Sequence, residues 1–95
     1  MRVTVTQRGG FAGADVELAR VDTATLGAAE RAALEAEIRA ALESPGAADT
    51  QVGADLMTYE LTVDDGGKRR TRTWVEDGTD AAAPIRQLVA KITRG

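Results

Sequence analysis

The chain contains no cysteine and no histidine. Without cysteine, no disulfide staples the fold and no thiolate can hold a metal. Without histidine, the commonest general base, the commonest zinc ligand and the usual neutral-pH switch are all missing. No bound metal and no cofactor is therefore expected. Aromatic residues are scarce as well. Phe11, Tyr59 and Trp74 are the only three, so the core must be built mainly from Val, Leu, Ile and Ala. No apolar run approaches the roughly 18–20 residues that a membrane span needs. Met1-Arg2-Val3-Thr4 passes straight into an alternating pattern, not into the apolar core of a leader. No membrane association is expected, and the cytoplasm is the default location. Positive charge is also short, with 12 Lys and Arg against 15 Asp and Glu and a net charge of −3. That is the wrong footprint for nucleic acid or an anionic membrane.

What remains is enough for one domain spanning residues 1–95. A chain of this length buries roughly 64% of its unfolded surface, which supports one modest core. Val3 and Val5 alternate with Arg2, Thr4 and Thr6, the period of a half-buried strand over residues 1–8. A second strand follows over 14–22, with Val16 and Leu18 on one face. Val21 breaks that parity, and a bulge near Ala19 or Arg20 would restore it. A helix is expected from about Gly27 to Glu43, with Gly27 as N-cap and Glu30 placed to suit the helix dipole. Leu34, Ile38, Ala41 and Leu42 fall on its inner face. Ser44-Pro45-Gly46 stops it.

The clearest strand is 55–64, where Met57, Tyr59, Leu61 and Val63 alternate with polar residues. Asp64-Asp65-Gly66-Gly67 reads as a tight turn, and 68–76 returns. On that return, Thr71, Thr73 and Val75 share one face and Arg70, Arg72 and Trp74 the other. Tyr59 is expected in the core; Trp74 is ambiguous because its face is charged. Pro84 opens a second helix whose Ile85, Leu88, Val89 and Ile92 form an apolar stripe. The order ββαββα implies an α+β fold: one four-stranded, mainly antiparallel sheet with both helices on one face.

No catalytic motif is present. There is no nucleophile elbow, P-loop or dinucleotide fingerprint. Asp64 and Asp65 sit where turn chemistry places aspartates. No enzyme is expected. The basic run Lys68-Arg69-Arg70-Thr71-Arg72 reads better as a solvated hairpin arm than as an anion site. The unusual stretch is Arg8-Gly9-Gly10-Phe11-Ala12-Gly13. Three of its residues are glycine, and it carries the only phenylalanine. A large ring on a glycine loop between two strands either folds back over the sheet or serves as an anchor for a partner's pocket.

This stretch resembles the protealysin-inhibitor (emfourin) family, small bacterial proteins that inhibit thermolysin-like zinc metalloproteases. The likeness includes Met1-Arg2-Val3, the Arg8–Gly13 stretch, Val21-Asp22-Thr23 and Leu26. It continues through the strand from Asp55 to Val63 and the helix from Pro84 to Ile92, so it spans essentially the whole chain. Gly27-Ala28 departs from the Ser/Pro-type cap usual at the start of the family's first helix. The resemblance implies a proteinaceous inhibitor, monomeric when free, that forms a one-to-one complex with its protease. Thermolysin-like clefts favour large apolar side chains, so Phe11 is the expected plug and Arg8, Gly9, Gly10, Phe11, Ala12 and Gly13 the expected partner-binding residues. The alternative, from another class, is a non-catalytic interaction or regulatory module that pairs with its own copy through a sheet edge.

Overall fold

The computed structural model describes residues 1–9, 15–44, 57–76 and 80–94. β1 (Arg2–Arg8) lies inside the sheet, hydrogen-bonded on one side to β2 (Val16–Asp22) and on the other to β3 (Thr58–Asp65). β4 (Lys68–Val75) pairs with β3 and closes the order β2-β1-β3-β4, with every neighbouring pair antiparallel. β2 and β3 therefore run in the same direction with β1 between them. The connection joining them must cross β1, and the helix α1 (Ala28–Leu42) is part of that crossover. The helix α2 (Ala83–Arg94) follows β4. The architecture is α+β in ββαββα order.

Register explains where the core lies. Val3 faces Val21 and Val63 across its two neighbours, and Val5 faces Ala19 and Leu61. These pairs fill one face of the sheet. On them pack Leu34, Ile38, Ala41 and Leu42 from α1 and Ile85 and Leu88 from α2, in a single buried cluster. Both apolar helix stripes are those that the 3.6-residue period marks out; Val89 and Ile92 lie partly exposed at the cluster's margin. The open face carries Thr4, Thr6, Thr62 and Thr71, as suits an antiparallel sheet wetted on one side.

The bulge in β2 sits one residue earlier than the parity break suggests. Ala19 pairs with Val5, but Thr6 pairs with Glu17, so Leu18 is the extra residue. The reason is tertiary. Val3 and Val5 demand apolar partners on the inner face, and Val21 and Ala19 provide them. Val16, beyond the bulge, comes back into phase opposite Gln7.

Trp74 is resolved by the same geometry. It shares its face with Arg70 and Arg72, yet that face is the one under the helices, and Trp74 is fully buried. Arg70 and Arg72 lie opposite Val63 and Leu61 on the edge strand, Arg70 exposed and Arg72 half-buried. Arg70 reaches Glu43 just past α1, 3.5 Å away. Tyr59, opposite Trp74, packs on the core but is only partly buried.

Gly66 and Gly67 form a two-residue loop between Asp65 and Lys68, with φ of +60° and +88°. Two positive φ values in succession are what a type I′ hairpin turn requires. Two short 3₁₀ turns, Thr23–Thr25 and Asp80–Ala82, carry no signal in the apolar pattern. The first is anchored by Thr23, whose hydroxyl donates to a Glu35 carboxylate oxygen at 2.7 Å and whose amide donates to the Met1 carbonyl at 2.9 Å.

Candidate functional site: the loop end of the sheet

Antiparallel pairing brings four strand ends together. β1 ends, β2 begins, β3 begins and β4 ends at the same end of the sheet. Arg8 is the last residue of β1 and Gly9 follows it with φ of +93°, a backbone setting that glycine adopts at little cost. Gly10, Phe11, Ala12 and Gly13 lie outside the described residues. The structure thus places two of the six expected binding residues at the root of the β1–β2 connection and leaves the other four without description.

The root is held from two sides. β1 pairs with β2 up to Gln7 and with β3 up to Arg8, so its backbone is laddered almost to its end on both edges. The Arg8 guanidinium lies 3.3 Å from a Glu60 carboxylate oxygen on β3 and 3.8 Å from Asp15 on the returning chain. The Thr58 hydroxyl donates to the Arg8 carbonyl at 3.5 Å, and the Gln7 amide donates to the Met57 sulfur. One cation therefore bridges both flanks of the loop. The Arg8 and Asp15 side chains are 37% and 55% exposed, so screening keeps the energy of that pair small and its value lies in orientation.

A second polar group lies on the helix-covered face at the same end. The Arg86 guanidinium in α2 donates to Glu76 at 2.6 Å. The Tyr59 hydroxyl lies beside Glu76, whose amide donates to the Met57 carbonyl at 2.8 Å. Burial, with the Glu76 carboxylate beside it, pushes the Tyr59 hydroxyl above its ordinary range. The hydrogen bond to Glu76 holds the Arg86 guanidinium protonated more firmly than usual. Both shifts keep the group in its ordinary state at neutral pH, Tyr59 neutral and Arg86 charged. Neither residue is poised for proton transfer.

Sequence reasoning missed Val16. At 51% exposure it is the exposed large apolar side chain among the described residues, and it stands at the start of β2 beside the loop root. It is in phase with the inner face, opposite Gln7, but stands at the first position of β2, outside the buried cluster.

Among the described residues no group of three or more acidic side chains is placed to hold a metal ion. A groove of about 660 Å³ runs between the helices, lined by Ala41, Ser44, Pro84 and Leu88 and by Glu37 and Lys91, which form an ion pair with each other. No described helix is long and apolar enough to cross a membrane. What the loop end offers is a pinned platform from which a segment can be presented to another molecule. No curated protein and no solved structure matches the chain. The emfourin family model, however, matches residues 5–93, from the middle of β1 to the last turn of α2. The chain therefore belongs to the emfourin family, a family of inhibitors of thermolysin-like metalloproteases.

Proposed function

We propose that this protein blocks the active-site cleft of a thermolysin-like metalloprotease with the segment from Arg8 to Gly13, Phe11 entering an apolar subsite beside the catalytic centre. The observation that carries the reading is the bracing of the loop root: β1 is laddered on both edges, and Arg8 reaches Glu60 on one flank and Asp15 on the other. A segment fixed at its base loses less conformational entropy on binding, so more of its contact energy appears as affinity. Val16 extends the apolar surface beside the root. Blocking a cleft in this way needs no nucleophile, metal or cofactor from the inhibitor.

The inhibitor acts as a monomer in a one-to-one complex. Both sheet edges are poor templates for pairing two copies. β2 carries the bulge at Leu18 and the exposed Arg20–Glu17 ion pair at 2.6 Å. β4 carries exposed Lys68, Arg69 and Arg70. Each feature is a known guard against edge-to-edge association.

The test is a titration of a thermolysin-like protease with the parent and with Phe11→Ala, together with a thermal melt of each. Phe11→Ala is expected to keep its melt and to raise Ki by roughly 30-fold or more, the loss of a buried aromatic anchor. Equal inhibition by the two proteins would remove Phe11 from the interface. A stable dimer on a sizing column, indifferent to protease, would favour self-association instead.

A further inference from the structure

We propose that Glu76 is the hub of a positioning device, Tyr59–Glu76–Arg86, which fixes the protease-binding end of the domain without touching the protease. The inference rests on the reading that this end is the inhibitory one. Three elements meet at Glu76. Its carboxylate takes a hydrogen bond from Arg86 in α2 at 2.6 Å and lies beside Tyr59 near the start of β3. Its amide donates to the Met57 carbonyl, the first described residue before β3. Met57 is in turn tied to the end of β1 through the Gln7 amide. Glu76 is the last described residue after β4, and Asp80, the first residue of the next turn, adds its charge to the field on Arg86.

Glu76 therefore links three elements: its carboxylate ties the departure of β4 to Arg86 in the first turn of α2 beside Tyr59, and its main-chain amide reaches Met57 before β3 and through it the root of the β1–β2 connection. Its side chain is 19% exposed, against 39% for Arg86. A half-covered, charge-assisted bond of this length is directional as well as attractive. Tyr59 contributes its ring to the apolar face of β3, whereas the helix stripe and the sheet pattern require neither Glu76 nor Arg86 for burial. They sit where the strand ends converge, and at the opposite end the β3–β4 turn is specified by two glycines alone. Loosening the hub would leave the core in place and let the strand ends shift relative to one another.

The experiment compares Arg86→Leu, Glu76→Gln, the double variant and Arg86→Lys, with Phe11→Ala alongside. Ki is read against a thermolysin-like protease well below each variant's melting temperature, with the folded fraction checked by circular dichroism. Each single change is expected to raise Ki roughly tenfold, as ordering that was built in must now be supplied on binding. The double variant is expected to be no worse than either single, because both break one linkage. Arg86→Lys should recover part of the loss. Tyr59→Phe, which deletes one hydroxyl, is the backup should a charge variant fail to fold, and a several-fold rise in Ki is expected from it. Unchanged Ki in folded hub variants while Phe11→Ala loses inhibition would overturn the hub and spare the loop reading. Loss with Arg86→Leu but not with Glu76→Gln would also overturn it, since Arg86 would then be touching the protease itself. Weakened hub variants beside an unaffected Phe11→Ala would support the hub and remove Phe11.

Discussion

Replacing Trp74 by phenylalanine tests the packing argument where it is most exposed to error. Trp74 is fully buried, and its indole N–H has no hydrogen-bond partner among the described residues. Two terms oppose each other. Phenylalanine removes a buried unsatisfied donor, worth about 1–3 kcal/mol of relief. It also removes part of a buried ring and leaves a small void, costing about 1–2 kcal/mol by area and cavity reasoning. The two terms largely offset, so the net change is expected to lie between a loss of about 1 kcal/mol and a gain of about 2 kcal/mol. Trp74→Ala keeps the relief but loses the whole ring, and should cost about 3–5 kcal/mol less that relief. The assay is urea unfolding followed by far-ultraviolet circular dichroism, because the substitution deletes the only tryptophan and with it the fluorescence signal. The midpoint should move little and the slope not at all. A loss of 3 kcal/mol or more in Trp74→Phe would show that the indole N–H is satisfied after all and that its partner helps hold β4 under the helices.

Two further outcomes follow from single residues. Gly67 has φ of +88° with open space around a built Cβ, so Gly67→Ala should destabilise by about 1 kcal/mol through backbone strain alone, while Gly66→Asn at +60° should be nearly neutral; a chemical-denaturation midpoint for each variant checks this. Tyr59 is raised above its ordinary 10.0, chiefly by burial and then by Glu76. The folded state thus holds that proton more tightly than the unfolded chain does. The associated stability is complete below about pH 10 and is lost as pH climbs through the folded value. Tyr59→Phe should flatten the alkaline fall in stability, and tyrosinate absorbance of the parent, which has one tyrosine, should rise later than in the unfolded chain.

The second half of the molecule was easy to read because its patterns are unbroken. Met57, Tyr59, Leu61 and Val63 alternate without exception, and Asp65-Gly66-Gly67-Lys68 leaves little choice of turn. The apolar stripes of the two helices are set by spacing, so their inner faces follow from the sequence whatever they pack on. β2 was harder. Ala19 is buried, Leu18 and Val21 are both partly buried against the core, and Val16 is exposed, because the bulge at Leu18 lets residues of both parities reach the core. The 3₁₀ turns at Thr23–Thr25 and Asp80–Ala82 were invisible, since three residues carry no period.

By itself the sequence determined the element order, the absence of histidine and cysteine chemistry, the glycine-framed aromatic stretch, and the family through residues 5–93. These are local or compositional properties, fixed by what the residues are and how they are spaced. Only tertiary structure decided the strand order, the burial of Trp74 among arginines, the bulge at Leu18, and the convergence of Arg8, Glu60, Asp15, Tyr59, Glu76 and Arg86 at one end of the sheet. Each depends on which strand lies beside which. That choice is made by the total apolar surface removed from water, a quantity no single stretch of chain contains.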